Sequence, residues 1–273
     1  MSYSEDSQIL YSQGYVLRKL GHYAGAIAKY DRFLAIHPKD HKAWSCRGYA
    51  LEGAENFEEA VSSFDRALTI QPKYAPAWQG KGIAQAKLNQ FEEALSSFDR
   101  ALRLQPDDYR AWQNHGKALI GLCRYKEAIA SFDKVLELKS DSYKAWYNRA
   151  VALSCLNRFK DAFVSLENAL IIKPSCYYAW NYRGMVLAKL ERYNEALASF
   201  DQSLQIKTNN ANAWYGRACC YALQGNVEQA IKNLQQAMSF SPHLCRVMAN
   251  SDANFNKIRH EPQFHALIEQ AYS

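Results

Sequence analysis

Three observations predict an all-α repeat fold. All six tryptophans, Trp44, Trp78, Trp112, Trp146, Trp180 and Trp214, stand 34 residues apart. Between them the apolar residues keep helical spacing: Tyr23, Ala26, Ile27, Tyr30, Phe33 and Leu34 form one i, i+3, i+4, i+7 stripe. No stretch shows the period-two alternation of a strand. Tryptophans on such a ruler point to one socket filled in the same way in successive units. Burying each side chain is worth roughly 4–6 kcal/mol by area, as an upper bound.

Aligned on tryptophan, residues 1–244 hold seven units: 7–40, 41–74, 75–108, 109–142, 143–176, 177–210 and 211–244. Leu10 takes the tryptophan place in the first. Four residues further on stands a small residue: Gly14, Gly48, Gly82, Gly116, Ala150, Gly184 and Ala218. An aromatic follows at Tyr23, Phe57, Phe91, Tyr125, Phe159 and Tyr193, replaced by Val227 in the last unit. Alanine comes three positions later in every unit, from Ala26 to Ala230. Pro38, Pro72, Pro106, Pro174 and Pro242 close five units; Ser140 and Thr208 stand in the other two. Each unit thus reads as two helices, parted by polar turns such as Leu20-Gly21-His22 and Leu88-Asn89-Gln90. The small residues let the two helix axes approach, and the aromatics fill the space between units.

This column pattern resembles the tetratricopeptide repeat family. The resemblance covers residues 7–244 and departs from the family at Leu10, Val227, Ser140 and Thr208. It implies an α-solenoid, a right-handed superhelix of helix-turn-helix units whose first helices line a concave groove. Residues 245–273 break the period, with Met248 where an eighth tryptophan would stand. Phe255, Ile258, Phe264, Leu267, Ile268 and Ala271 still offer an apolar cover, with Pro262 between two short helical stretches. Capping helices over the open end of the array are the expectation; a binding tail is the alternative.

Composition narrows the function classes. The net charge of +6 is too small to imply nucleic acid by itself. No apolar run reaches the length of a membrane span. The start, Met1-Ser2-Tyr3-Ser4-Glu5-Asp6, lacks the basic and apolar regions of a signal peptide. Seven cysteines without a CxxC pair read as free thiols in a reducing cytoplasm. A redox bond between Cys219 and Cys220 would strain the backbone, because helix neighbours point about 100° apart. The histidines are scattered, and neither HExxH nor a glycine-rich phosphate loop is present. The expectation is a protein without catalytic residues, cofactor or metal.

A charge pattern runs along the array. Three residues after each tryptophan lies a base: Arg47, Lys81, His115, Arg149, Arg183 and Arg217. Second helices carry Asp31, Asp65, Asp99, Asp133, Glu167 and Asp201. Pairing within units leaves mismatches at Gln13 and Gln235. Pairing each acid with the base of the following unit satisfies all six, from Asp31–Arg47 to Asp201–Arg217. Gln13 and Gln235 then mark the two ends of the array. Such contacts are worth about 0–1 kcal/mol each when exposed and serve register more than stability.

The stripe opposite the packed side of the first helices holds positions −2, +1, +2, +5, +8 and +9 relative to tryptophan. The family resemblance places these on the groove. Across seven units they carry Arg18, Lys19, Lys42, Lys87, Arg110, Lys117, Lys144 and Lys189 against one acid, Glu52. Tyr11, Tyr15, Tyr49, Tyr147, Tyr178, Tyr182 and Tyr215 accompany them, with Asn114, Asn148, Asn181 and Asn212. Tyrosine supplies contact area with a polar tip, and asparagine can bond a peptide backbone. Some relatives grip a C-terminal carboxylate with a Lys/Asn clamp. Here Asn148 has its middle place, but Gln113, Lys117, Tyr178 and Tyr182 break the clamp on both sides. The expected function is a non-enzymatic scaffold or adaptor that binds an acidic, extended or helical peptide segment of a partner protein. Single-stranded RNA on the same basic, Tyr-rich face is the alternative, and self-association is a further possibility.

Overall fold

The computed structural model describes residues 4–269, so Ala271 of the expected cap lies outside the described residues. Among these residues there are sixteen α-helices, one 3₁₀ turn and no strand. They form two compact units, Met1–Ser140 and Asp141–Ser273. The division falls inside the repeat array.

The first unit contains four antiparallel hairpins: α1 (Glu5–Lys19) with α2 (Tyr23–Ile36), α3 (His41–Gly53) with α4 (Phe57–Ile70), α5 (Ala75–Lys87) with α6 (Phe91–Leu104), and α7 (Tyr109–Gly121) with α8 (Tyr125–Leu138). Each second helix also packs on the first helix of the next hairpin, and α1, α3, α5 and α7 touch in sequence. The second unit repeats the plan with α9 (Tyr143–Cys155) and α10 (Phe159–Ile172), α11 (Tyr177–Lys189) and α12 (Tyr193–Ile206), and α13 (Ala211–Leu223) and α14 (Val227–Phe240). It ends with α15 (Pro242–Ser251), the 3₁₀ turn Ala253–Phe255 and α16 (Pro262–Glu269).

Every hairpin turns through one left-handed residue: Gly21, Glu55, Asn89, Cys123, Asn157, Glu191 and Gly225, with φ between 57° and 79°. That residue lets the next N–H reach back to close the first helix, as Asn56 does to the Leu51 carbonyl at 2.9 Å. Glycine takes this backbone without cost; Glu55, Cys123 and Glu191 adopt it against their Cβ.

The socket expected for tryptophan is filled in part: Trp44, Trp78 and Trp214 pack against the buried clusters between repeats. All six tryptophans are only half-buried. The second helices supply a column of large side chains fully withdrawn from solvent: Tyr30, Phe64, Phe98, Phe132, Leu166, Phe200 and Leu234. These pair by size with the small residue after tryptophan. A Cβ added at Gly48, Gly82, Gly116 or Gly184 would fall 2.6–2.8 Å from the ring of Phe64, Phe98, Phe132 or Phe200. Where the small residue is alanine, at Ala150 and Ala218, the partner column holds the smaller Leu166 and Leu234. The methyl is thus matched by the loss of a ring.

Trp44, Trp78, Trp112, Trp180 and Trp214 also bracket the turn that precedes them. The indole N–H donates to the backbone carbonyl six residues before it, 2.9 Å for Trp44 to Pro38 and 2.8 Å for Trp180 to Pro174. Threonine substitutes without loss, since Trp214 donates to Thr208 at 3.0 Å. The ring face is covered by the base three residues later, for example Arg47 on Trp44 at 5.9 Å and Arg217 on Trp214 at 5.3 Å. That base then meets the acid of the preceding repeat: Arg47–Asp31 at 2.6 Å, Lys81–Asp65 at 2.7 Å, His115–Asp99 at 3.3 Å, Arg183–Glu167 at 2.5 Å, and Arg217–Asp201. Arg47 adds a longer contact of 3.7 Å to Glu59 of its own repeat. Asp133 and Arg149 belong to different units, and their pairing stands as an expectation. Several bases reach further, to a buried serine on their own second helix: Arg47 donates to Ser63 at 2.7 Å and Arg149 to Ser165 at 2.8 Å. Sequence reading found the acid–base half of this chain and missed the serines.

At the C-terminal end, Cys245, Ala249, Phe255, Ile258, Phe264 and Leu267 join one core with Ala218, Leu234, Ala237 and Met238. Asp252 fixes the junction by accepting from the Tyr215 hydroxyl at 2.9 Å and from the Asn254 backbone N–H at 2.9 Å.

Candidate functional site

The first-helix stripe is described for each unit in turn. In the first unit, Lys42, Lys87, Arg110 and Lys117 are exposed, and Asn114 is half-buried. Arg110 lies on the Tyr109 ring at 5.5 Å. Arg18 is half-buried and sits over both Tyr15 and Tyr49, at 5.6 and 5.9 Å. Tyr49 is itself engaged: its hydroxyl donates to the Pro76 carbonyl at 2.6 Å and its ring packs edge-on to Phe64. Burial raises the pKa of the sole acid, Glu52, against the opposing charges of Lys87 and Arg18.

In the second unit, Lys144 and Lys189 are exposed, and Asn148 and Asn181 are half-buried. Tyr147, Tyr178 and Tyr182 come together, with Tyr147 edge-on to Tyr178 at 4.9 Å and to Tyr182 at 5.7 Å. Burial pushes the Tyr147 phenol up to about 12. Tyr215 departs from the sequence expectation of a groove contact. It is 7% exposed, and its hydroxyl is spent on Asp252.

A pocket of about 500 Å³ opens beside Tyr215, between α11, α13 and the segment that follows α14. Phe200, Gly216, Met185 and Met248 line it, with Asn181, Asn212 and Lys189 among the polar groups. Asn181 and Lys189 were in the expected groove set, and Asn212 accompanied it. Met185 and Gly216 stand on the same stripe, at five and two residues after tryptophan, without having been singled out; Met248 and Phe200 lie off it. Among the described residues no helix is long and apolar enough to cross a membrane.

Comparison with known proteins follows the same repeats. Tetratricopeptide repeat family models match residues 11–75, 51–119, 109–142 and 176–242. A model of the protein prenyltransferase alpha subunit repeat matches 159–190, about the length of one repeat. No curated protein sequence matches the chain. Among solved structures, YrrB, a TPR protein with an unusual peptide-binding site, is 26% identical over 70% of this chain and 98% of its own, with a TM-score of 0.57. A tetratricopeptide repeat protein from Parabacteroides merdae is 18% identical over 93% of this chain and 99% of its own, TM-score 0.70. PilF of Pseudomonas aeruginosa is 17% identical over 80% of this chain and 96% of its own, TM-score 0.66. The likeness to the last two is one of fold. The repeat columns, the helical hairpins and these matches agree: the chain belongs to the tetratricopeptide repeat family, whose fold is a scaffold for protein–protein interaction.

Proposed function

We propose that this protein is a non-catalytic adaptor whose first-helix face binds an acidic segment of a partner protein. The charge distribution carries the reading. The stripe holds eight cations and one acid, a net excess of seven, while the whole chain carries +6. The positive charge is therefore a property of this face and not of the surface at large. Exposed Lys42, Lys87, Arg110, Lys117, Lys144 and Lys189 supply attraction and faster encounter. The tyrosines and asparagines supply contact area and backbone hydrogen bonds. Residues 1–244 form the binding array in this reading, and 245–273 close its apolar end. Free thiols at all seven cysteines suit a reducing, cytoplasmic setting.

The test is a titration of a labelled glutamate-rich peptide, at several salt concentrations, with wild type and the Arg110→Glu/Lys117→Glu double variant. The variant should bind about tenfold more weakly and with a flatter salt dependence. Unchanged affinity would count against the face. A single-stranded oligonucleotide in the same assay distinguishes the RNA reading, which predicts tighter binding and a steeper salt slope than the peptide shows.

A further inference from the structure

Gly80 and Gly216 are the only glycines two residues after a tryptophan; Cys46, Asn114, Asn148 and Tyr182 hold the other places. Both lie against a ring of the preceding repeat. A Cβ on Gly80 would fall 2.3 Å from Cζ of Phe64, and one on Gly216 would fall 2.4 Å from Cζ of Phe200. The two places, four repeats apart, share one backbone arrangement and differ in what covers the ring.

At Gly80 the cover is Tyr49, from the preceding first helix. Its ring stands edge-on to Phe64, centroids 5.0 Å apart at 76°, and its hydroxyl donates to the Pro76 carbonyl at 2.6 Å. Near Gly216 the position of Tyr49 is held by Met185, which is 48% exposed. The space beside Phe200 stays open as the 500 Å³ pocket, within the range that takes small ligands or large side chains. Asn212 occupies the place of Pro76 and lines this pocket. Tyr215 and Asp252 line its far wall, where the Tyr215 hydroxyl is bound to Asp252 and its ring stands edge-on to Phe255 at 5.7 Å.

We infer that this pocket receives a tyrosine side chain of the acidic partner segment, edge-on to Phe200, its hydroxyl donating to the Asn212 carbonyl. The inference rests on the acidic-segment reading for its partner and on Tyr49 for its geometry. Exposed Lys189 at the pocket meets an acidic residue beside the tyrosine. Met185 and Met248 give walls that adapt to an incoming ring. Phenylalanine would keep the ring contact and lose the hydroxyl bond; alanine would lose both.

The experiment uses the full chain and the peptide acetyl-Glu-Glu-Tyr-Glu-Glu-amide, with phenylalanine or alanine in the centre as controls. The tyrosine peptide should bind about tenfold more tightly than the alanine peptide, with phenylalanine between. Met185→Tyr fills the pocket from within, as Tyr49 fills its own. It should erase the difference in affinity between the tyrosine and alanine peptides. N-acetyl-tyrosinamide, followed by the methyl resonances of Met185 and Met248 in wild type, reads the pocket without a variant. Equal binding of tyrosine and alanine peptides, with no methyl shift, overturns the pocket and leaves the acidic-segment reading standing. Methyl shifts with the amide but no binding of any peptide overturn the acidic-segment reading and leave the pocket. No response to peptide or amide overturns both.

Discussion

At Gly82 an added methyl would lie 2.6 Å from Cε1 of Phe98, a distance that a packed ring cannot accept. Gly82→Ala should therefore cost about 1–3 kcal/mol as overpacking. Combined with Phe98→Leu it recreates the Ala150/Leu166 pair found elsewhere in the chain, and the double variant should be more stable than the sum of the singles. Urea denaturation in a double-mutant cycle measures this; additivity would refute the size pairing. His115 gives a second residue-scale prediction. Burial lowers its pKa from the usual 6.5, outweighing the pull of Asp99. The folded chain thus binds this proton less readily than the unfolded chain. The contribution is full above about pH 6.5 and is lost as pH falls through the lower folded value. Between pH 7.5 and 5.5 wild type should lose more stability than His115→Gln, by denaturant midpoint. Equal losses would place the acid sensitivity elsewhere. Both columns of the Gly–Phe pair are visible in the sequence. Their match is not, because it depends on which residues of two helices meet at one crossing.

The hairpin is the element on which register depends. Its turn was legible where Gly21 and Asn89 announce it. The left-handed backbone at Glu55, Cys123 and Glu191 was not, since those residue types carry no such preference. Glu55→Gly or Glu191→Gly should each stabilise the chain by about 0.5–1 kcal/mol, relief of the left-handed strain exceeding the added unfolded-state entropy. A lowered thermal midpoint would contradict that balance. The acid–base ladder was legible because its spacing of 16 residues crosses repeat boundaries and fails at Gln13 and Gln235. What tryptophan does in it was not legible. A large apolar residue on a ruler suggested burial, whereas Trp44 is half-buried beneath Arg47, with its N–H tied to the Pro38 carbonyl. Composition alone cannot separate a core filler from a surface bracket, because an indole serves as either.

For the molecule as a whole, the repeats provide their own controls. Positions with one backbone setting carry different residues, and each difference shows what is structural and what is spare. Tyr49 and Tyr215 stand on the same stripe as Tyr147 and Tyr182, yet the first fills a gap and the second anchors the C-terminal segment. Only tertiary contacts separate these roles. Of the stripe's expected cations, Lys42, Lys87, Arg110, Lys117, Lys144 and Lys189 are exposed, whereas Arg18 is half-buried over Tyr15 and Tyr49. In the proposed function the first-helix face takes an acidic segment. Hydrogen–deuterium exchange with saturating acetyl-Glu-Glu-Tyr-Glu-Glu-amide tests it most directly. Exchange should slow, in a salt-sensitive way, on the first helices, above all α7, α11 and α13, and on the α12 and α15 residues that line the pocket. Protection on second helices such as α4, α6 or α10, with the first helices unchanged, would contradict it.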